Sequence, residues 1–151
     1  FVTEDPRLTE ALPEPHNVPN PWQGAMRAGP LDLVALRYAL SVATAGPVAL
    51  AVTHLDRLSG RGKVRVATRY EVDGAPARLV PDARHLERCR PVYEERPGWE
   101  GDLSSCRTPG DLPPEARAFL RFLELPEGLD SPVVLASVGS FAAETVFLGE
   151  D

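Results

Sequence analysis

One aspartate of this sequence lies where its carboxylate could bind a ligand. Residues 47–52 form a short apolar run, and His54, Leu55 and Asp56 follow it. In open α/β sheets, ligands bind beyond the carboxyl ends of the strands, where side chains are held by the strand behind them. The Asp56 carboxylate could accept hydrogen bonds from the N1–H and the N2 amine of guanine, a pair of donors that adenine does not offer. An aspartate in this place is also a common turn former or helix cap, so a second element has to support the interpretation.

A second apolar run supplies that element. Residues 132–136 lead into Ser137, Val138 and Gly139. The backbone N–H groups of such a turn could donate to a base carbonyl, and glycine permits a close approach. Because both segments follow buried strands, we expect Asp56 and Ser137 to face one shared pocket at one edge of a sheet. The two segments together predict a guanine-binding edge.

The other titratable residues offer weaker patterns. His16 and His85 have no Asp or Cys at the spacing of a catalytic triad or a metal site, so we interpret them as surface residues. Glu94 and Glu95 are sequence neighbours whose side chains point apart, which favours a solvated face over an acid–base pair. The sequence has no Gly-x-x-x-x-Gly-Lys phosphate loop, and Lys63 is its only lysine. We therefore assign no catalytic residue and no metal ligand.

Composition narrows the class of protein and its partners. Of the 151 residues, 43% are hydrophobic, which is typical of a globular protein. The formal net charge of −6 argues against a general nucleic-acid surface. The sequence has no long apolar run and no signal-peptide core, so we predict a cytoplasmic protein without a membrane partner. Cys89 and Cys106 lack metal-ligand spacing and fit reduced thiols. A chain that begins at Phe1 and not at Met predicts a fragment or a processed piece.

Hydrophobic periodicity predicts the elements that would position these residues. Residues 1–30 contain six prolines, which favours a loop segment with a short helix around 7–12. Residues 31–45 have helical periodicity, with Pro30 suited to the first helical position. The apolar face of that helix is expected to comprise Leu31, Val34, Ala35, Tyr38 and Val42.

The rest of the chain alternates between strands and helices. Asp73-Gly74 is typical of a hairpin turn, and residues 91–114 are expected to be irregular, with Tyr93 and Trp99 as packing anchors. We expect strands at 47–52, 63–72, 77–80, 132–137 and 144–148, and helices at 82–89 and 115–124. These elements predict an α/β fold in two parts, a Pro-rich loop segment at 1–30 and an α/β part with a β-hairpin excursion and flanking helices at 31–151.

The order of several segments resembles one known family. The most specific is Pro91–Trp99, with the sequence PVYEERPGW, and it lies between Thr-His-Leu-Asp at 53–56 and Ser-Val-Gly at 137–139. Phe-Val-Thr-Glu at 1–4 adds a further match. The whole chain is similar to the C-terminal part of adenylosuccinate synthetase, which forms part of a nucleotide-binding central sheet.

The resemblance implies a function and a set of partners. The family joins L-aspartate to IMP in AMP biosynthesis and uses GTP to phosphorylate the purine 6-oxygen. It implies GTP as a substrate, Mg²⁺ as the metal, and a homodimer for the full-length protein. The phosphate loop, the catalytic Asp and His and the magnesium site belong to the family's N-terminal half. His54, Leu55 and Asp56, with the Ser137–Gly139 turn, match its guanine-binding positions.

The sequence departs from the family's pattern at several of these positions. His54 replaces a lysine, and Ser140 stands where the family usually has proline. The family's aspartate loop is rich in Thr and Arg, whereas residues 21–30 retain only Arg27 to pair with an anion, with Gln23 and Gly24 beside it. Two alternatives therefore stay open: a related ligase that uses another purine nucleotide or donor, and a nucleotide-binding module without catalysis.

We expect the 151-residue chain alone to be catalytically inactive. It has neither a phosphate loop nor a general base in triad geometry, both of which phosphoryl transfer and ligation would require from some part of the protein. The check is to incubate the purified chain with GTP, IMP, L-aspartate and Mg²⁺ and to measure phosphate release and adenylosuccinate. Turnover above a protein-free blank would contradict this expectation.

Overall fold

A computed structural model describes residues 1–13, 19–22, 24–43 and 46–149 of the chain. Its elements, in chain order, are α1 Pro6–Ala11, β1 Leu31–Asp32, α2 Leu33–Ala43, β2 Leu50–Val52, β3 Lys63–Val72, β4 Ala75–Ala77, α3 Ala83–Arg88, β5 Arg90–Pro97, α4 Pro114–Glu124, β6 Val133–Ser137 and β7 Thr145–Phe147. Single turns of 3₁₀ helix lie at Asp56–Leu58 and Pro109–Asp111. This mixture of helices and strands confirms the α/β fold class.

The strands form two sheets. In the first, β1 pairs in parallel with β3, β4 pairs with β3 in antiparallel orientation, and β5 also pairs with β3. In the second, the order is β2-β6-β7, with β2 parallel and β7 antiparallel to β6. The chain divides into two compact units, one formed by residues 1–35 and 65–94 and the other by residues 36–64 and 95–151. Among the described residues, no helix is long and apolar enough to cross a membrane.

The first unit is organised around β3, whose side chains alternate as predicted. Val66 and Tyr70 are buried, whereas Arg65 and Arg69 are exposed. The hairpin turn after β3 is also confirmed, because Asp73 and Gly74 both have positive φ, as a type I′ turn requires. The returning strand is Ala75–Ala77, however, and not 77–80 as expected.

The predicted start of the helix at residue 31 is wrong. Leu31 and Asp32 are extended and pair with β3, and α2 begins only at Leu33. The Asp32 carboxylate accepts the N–H of Ala35 at 3.0 Å, so this residue helps to begin the helix. The expected apolar face is wrong in part, since the buried residue of α2 is Leu33 and Val42 is 63% exposed. Strand pairing between distant segments overrides the local helical pattern here.

Strand β5 is the second departure from expectation, since residues 91–114 were expected to be irregular. Pro91 and Pro97 suggest a loop, but they occupy the second and the last position of β5, and proline is tolerated near strand ends. The remaining predicted elements are present within a few residues of their expected bounds. Asp82 caps α3 as predicted, since its carboxylate accepts the N–H of His85 at 2.9 Å.

The core of the second unit lies between α4 and the second sheet. Helix α4 contacts β6, and its buried side chains recur on one face, as the sequence pattern predicts. Phe119 and Phe122 are on this face, and Trp99 packs against Phe119 with ring centroids 5.6 Å apart. Trp99 is 1% exposed, which confirms its predicted role as a packing anchor.

Stability at alkaline pH should depend on Tyr70 of the first unit. Burial, together with the bonded Asp32 carboxylate 2.5 Å away, raises the pKa of Tyr70 far above its ordinary value of 10.0. The unfolded chain therefore loses the phenol proton near pH 10 while the folded chain keeps it, so the free energy of unfolding should fall as the pH rises above about 10. Tyr70→Phe should reduce this fall, measured by urea unfolding across this pH range. Tyr38→Phe is the control, and a parallel loss of stability in wild type and Tyr70→Phe would contradict the prediction.

Candidate functional site

The two segments that the sequence singles out leave the second sheet at the same edge. Strands β2 and β6 are parallel neighbours, with Leu50 opposite Val133 and Val52 opposite Ala136. Parallel strands bring their carboxyl ends to one edge. The residues that follow β2 therefore lie beside Ser137, the last residue of β6.

Ser137 joins the two segments directly. Its hydroxyl oxygen accepts the backbone N–H of His54 at 3.1 Å, and its carbonyl oxygen accepts the N–H of Leu55 at 3.1 Å. Because an incoming N–H occupies a lone pair of the hydroxyl, the hydroxyl's own proton can be donated to another acceptor. The serine thus holds the β2 loop in place and keeps a donor for a ligand.

His54 has an unusual backbone conformation that matches these bonds. Its φ of 62° lies in the left-handed region, which non-glycine residues rarely adopt. Such a conformation costs on the order of 1 kcal/mol and persists only where surrounding contacts enforce it. The two bonds to Ser137 provide that enforcement, and the His54 side chain stays exposed at the edge.

Asp56 begins the 3₁₀ turn that follows. Its carbonyl oxygen accepts the N–H of Ser59 at 3.1 Å, and the residue is half-buried. Within the described part of the chain, no residue donates to or pairs with the Asp56 carboxylate. The carboxylate can therefore accept hydrogen bonds from a ligand without first leaving a protein partner.

Trp99 holds this loop through two hydrogen bonds. Its indole N–H donates to the Leu55 carbonyl at 3.1 Å, and its own carbonyl accepts the N–H of Gly60 at 2.9 Å. Leu55 and Trp99 are each 1% exposed, so the bond between the indole and the Leu55 carbonyl is shielded from water. The proline-rich segment that carries Trp99 thus determines where the residues on either side of Leu55 lie.

The turn after β6 is held by Glu144, a residue that the sequence analysis did not identify as part of the site. Its carbonyl accepts the N–H of Val138 at 2.8 Å, and its carboxylate accepts the N–H of Phe141 at 2.8 Å. The carboxylate also fills the space where a side chain at Gly139 would begin. Glycine is therefore required by a neighbour within the protein, a reason that sequence spacing alone did not indicate.

The upstream loop belongs to the other unit of the chain. Arg27 pairs with Glu4 at 3.2 Å and lies over the ring of Phe1 at 5.4 Å, so it already has an anionic partner. Gly24 has positive φ and donates its N–H to the carbonyl of Asn20 at 2.8 Å. Gln23 lies outside the described residues, as do His16 and Asn17. The role of this loop in substrate binding stays a prediction.

The remaining candidates have structural surroundings. Cys89 and Cys106 are free, buried thiols, and burial raises the pKa of both. His85 lies with its Nε2 2.9 Å from the carbonyl of Arg78, a local contact that fits its interpretation as a surface residue. Among the residues that the structure describes, no three His, Cys, Asp or Glu side chains are grouped as a metal ion would require.

Several known proteins are similar to this chain. The adenylosuccinate synthetase family model matches residues 18–146. The adenylosuccinate synthetase of Pelobacter propionicus is 41% identical over 123 residues, which are 81% of this chain and 28% of that protein. The enzyme of the same name from Anaeromyxobacter sp. (strain K) is 44% identical, with the same coverage of both chains.

The fold has a counterpart among solved structures. The structure of fully ligated adenylosuccinate synthetase from Plasmodium falciparum matches with a TM-score of 0.84 and 26% identity, covering 99% of this chain and 36% of that one. The chain therefore spans about 28% of the length of the curated relatives it matches.

Replacing Trp99 should loosen the loop that follows β2. Trp99→Phe should lower the free energy of unfolding by about 1–3 kcal/mol, because it leaves the buried Leu55 carbonyl without a donor. Trp99→Ala should cost more, about 3–5 kcal/mol, because it also removes the packing of a large ring. Urea denaturation measures both, with Trp22→Phe as the matched control because Trp22 is 97% exposed. Equal free energies of unfolding of Trp99→Phe and Trp22→Phe would show that the indole bond does not contribute to stability.

Proposed function

Since the chain belongs to the adenylosuccinate synthetase family, we propose that it provides the guanine-recognition edge of a GTP-dependent ligase. His54, Leu55 and Asp56 form one side of this edge, and the turn that begins at Ser137 forms the other. The observation that carries the proposal is the pair of hydrogen bonds by which Ser137 holds His54 and Leu55. These bonds support the proposal because they hold the segment that carries Asp56 next to the turn that begins at Ser137.

The proposed selectivity follows from the direction of the hydrogen bonds. Guanine presents donors at N1 and N2 and an acceptor at O6, whereas adenine presents an acceptor at N1 and a donor at N6. Asp56 accepts only, so it matches the guanine donors. The Ser137 hydroxyl and the N–H groups of the following turn donate, so they match O6. Adenine would face both groups with the wrong polarity.

The amino-acid and purine substrates are part of the same proposal. We propose that the complete protein joins L-aspartate to IMP at the expense of GTP, in the cytoplasm and as a homodimer, as the family resemblance implies. Mg²⁺ would accompany GTP, but the described residues have no carboxylate cluster that fits the ion, so no step through the metal is assigned to this chain. We assign it nucleotide binding and no bond-making step, and we propose that the chain alone is inactive.

One observation favours a second candidate. Arg27 is the only cation of residues 21–30, and it is paired with Glu4. A loop with one committed arginine is poorly equipped to bind the two carboxylates of aspartate. A related ligase with another donor or purine substrate is therefore the second proposal. A module that binds a nucleotide without catalysis would keep the Asp56 edge and show no ligation.

Asp56→Asn should reverse the preference of the intact protein among purine nucleotides. An unsatisfied buried carboxylate costs on the order of 2–3 kcal/mol, so wild type should prefer GTP to ATP by about 30- to 150-fold. Asparagine offers an amide N–H₂ to the C2 carbonyl of xanthine and keeps an oxygen for its N1–H. The variant should thus bind GTP more weakly and xanthosine triphosphate more tightly, as measured by nucleotide competition.

A matched control separates recognition from folding. Asp130 is exposed, precedes β6 and has a positive φ that asparagine readily adopts, so Asp130→Asn should leave nucleotide affinities unchanged. Equal wild-type affinity for ATP and GTP would refute the guanine assignment and support the divergent-donor alternative. Ligation assays with IMP and aspartate, and with other amine donors, then identify the substrates.

A further inference from the structure

We propose that Glu144 is a positioning residue for guanine recognition, acting through the turn that begins at Ser137. This inference rests on the proposed function of the edge. Glu144 makes no contact with the base in the proposal. It holds the backbone of the turn in the orientation that lets its N–H groups reach a base carbonyl.

Glu144 makes a closed set of hydrogen bonds with the turn. Its carbonyl accepts the N–H of Val138, and its own N–H donates to the carbonyl of Phe141, each at 2.8 Å. Its carboxylate accepts the N–H of Phe141, also at 2.8 Å. These bonds join both ends of the turn to one residue, so the turn cannot rotate without breaking at least one of them.

The Glu144 carboxylate also lies against Gly139. A Cβ atom built at Gly139 would overlap the carboxylate, the nearest atoms being those of the Glu144 side chain. Gly139 is not among the residues with positive φ, so its backbone conformation does not demand glycine. Space for the carboxylate is the reason for glycine here. This contact also determines that a ligand must approach the turn from another side.

The turn has two further N–H groups, those of Gly139 and Ser140. Within the described part of the chain, no residue accepts a hydrogen bond from the N–H of Gly139 or Ser140. Ser140 is exposed and Gly139 is half-buried, so both groups can meet a ligand. Glu144 occupies the neighbouring N–H, that of Phe141, and so limits the donors that the turn offers. A base carbonyl is the acceptor that this pair of donors suits.

The same strand provides a matched control at its other end. The Glu124 carboxylate accepts the N–H of Val133, the first residue of β6, at 2.9 Å. Glu124 therefore makes the same kind of carboxylate-to-backbone bond as Glu144, but away from the proposed edge. Any general effect of losing such a bond on folding should appear in variants of both residues.

The experiment measures the steady-state kinetics of the intact enzyme with GTP, inosine triphosphate (ITP) and xanthosine triphosphate (XTP). Glu144→Ala should raise the KM for each of the three nucleotides about tenfold. All three present the 6-oxo acceptor to the turn, and the variant loses the charge-assisted bond between the Glu144 carboxylate and the Phe141 N–H that holds the turn. The kcat and the KM for IMP should stay within about twofold, because no group at the reacting atoms changes. Glu144→Gln keeps an acceptor of the same size and should restore the KM for GTP to within about threefold of wild type. Glu124→Ala should leave all nucleotide KM values unchanged.

The outcomes separate this inference from the proposed function. A wild type that does not prefer GTP to ATP refutes the proposed function and this inference with it. A wild type that prefers GTP, combined with Glu144→Ala that keeps the KM of wild type, refutes only the role of Glu144. Equal effects of Glu144→Ala and Glu124→Ala, or a fall in kcat together with a rise in the KM for IMP, would reveal a merely structural role and overturn the inference.

A second variant keeps the test decisive if Glu144→Ala does not fold. Glu144→Asp retains the charge but shortens the reach to the Phe141 N–H, and it should raise the KM for GTP about threefold or more at unchanged kcat. Melting temperatures of all variants are measured in parallel. A folded Glu144→Asp enzyme with the nucleotide KM values of wild type overturns the inference.

Discussion

The hydrogen bond from the Trp99 indole to the Leu55 carbonyl is the interaction on which the candidate edge depends. It connects the end of a proline-rich segment to the middle of the loop that follows β2, and the Trp99 carbonyl holds the same loop again at Gly60. Trp99 and Leu55 are each 1% exposed, so water could not replace the indole N–H if Trp99 were substituted. The Leu55 carbonyl would then stay unsatisfied. His54 and Asp56 lie on either side of Leu55, and this bond therefore fixes their position.

The two halves of the edge are organised by the same principle. Ser137 holds the first segment through two backbone N–H groups, and Glu144 holds the second through its carbonyl and carboxylate. The groups left without a partner among the described residues are the Asp56 carboxylate and the N–H groups of Gly139 and Ser140. A site that is ordered before the ligand arrives loses little conformational freedom on binding, which favours affinity. The proposed guanine recognition follows from this division between committed and available groups.

Local patterns predicted the elements that local forces determine. The amphipathic helix α4, the alternating strand β3 and the turn at Asp73-Gly74 all formed as expected, because side-chain periodicity and glycine conformation act within a few residues. The predictions of a helix from residue 31 and of an irregular segment at 91–114 were wrong for one shared reason. Each segment depends on pairing with β3, a strand far away in sequence, and a pairing partner outweighs the local preference of Leu31 or of the prolines in β5.

Residue types and spacing were enough to predict the groups available for recognition, namely a carboxylate after one apolar run and a Ser-Val-Gly turn after another. They also carried the family resemblance, which the family model confirms over residues 18–146. How these groups are held depends on contacts that exist only in the folded chain. Trp99 bonds to a residue 44 positions away, and Ser137 to one 83 positions away, distances at which no local pattern acts. Glu144 is close to Gly139 in sequence, but only the packing of its carboxylate against the bare α-carbon gives both residues their role. Burial and close packing are properties of the folded chain, and they turn candidate groups into a site.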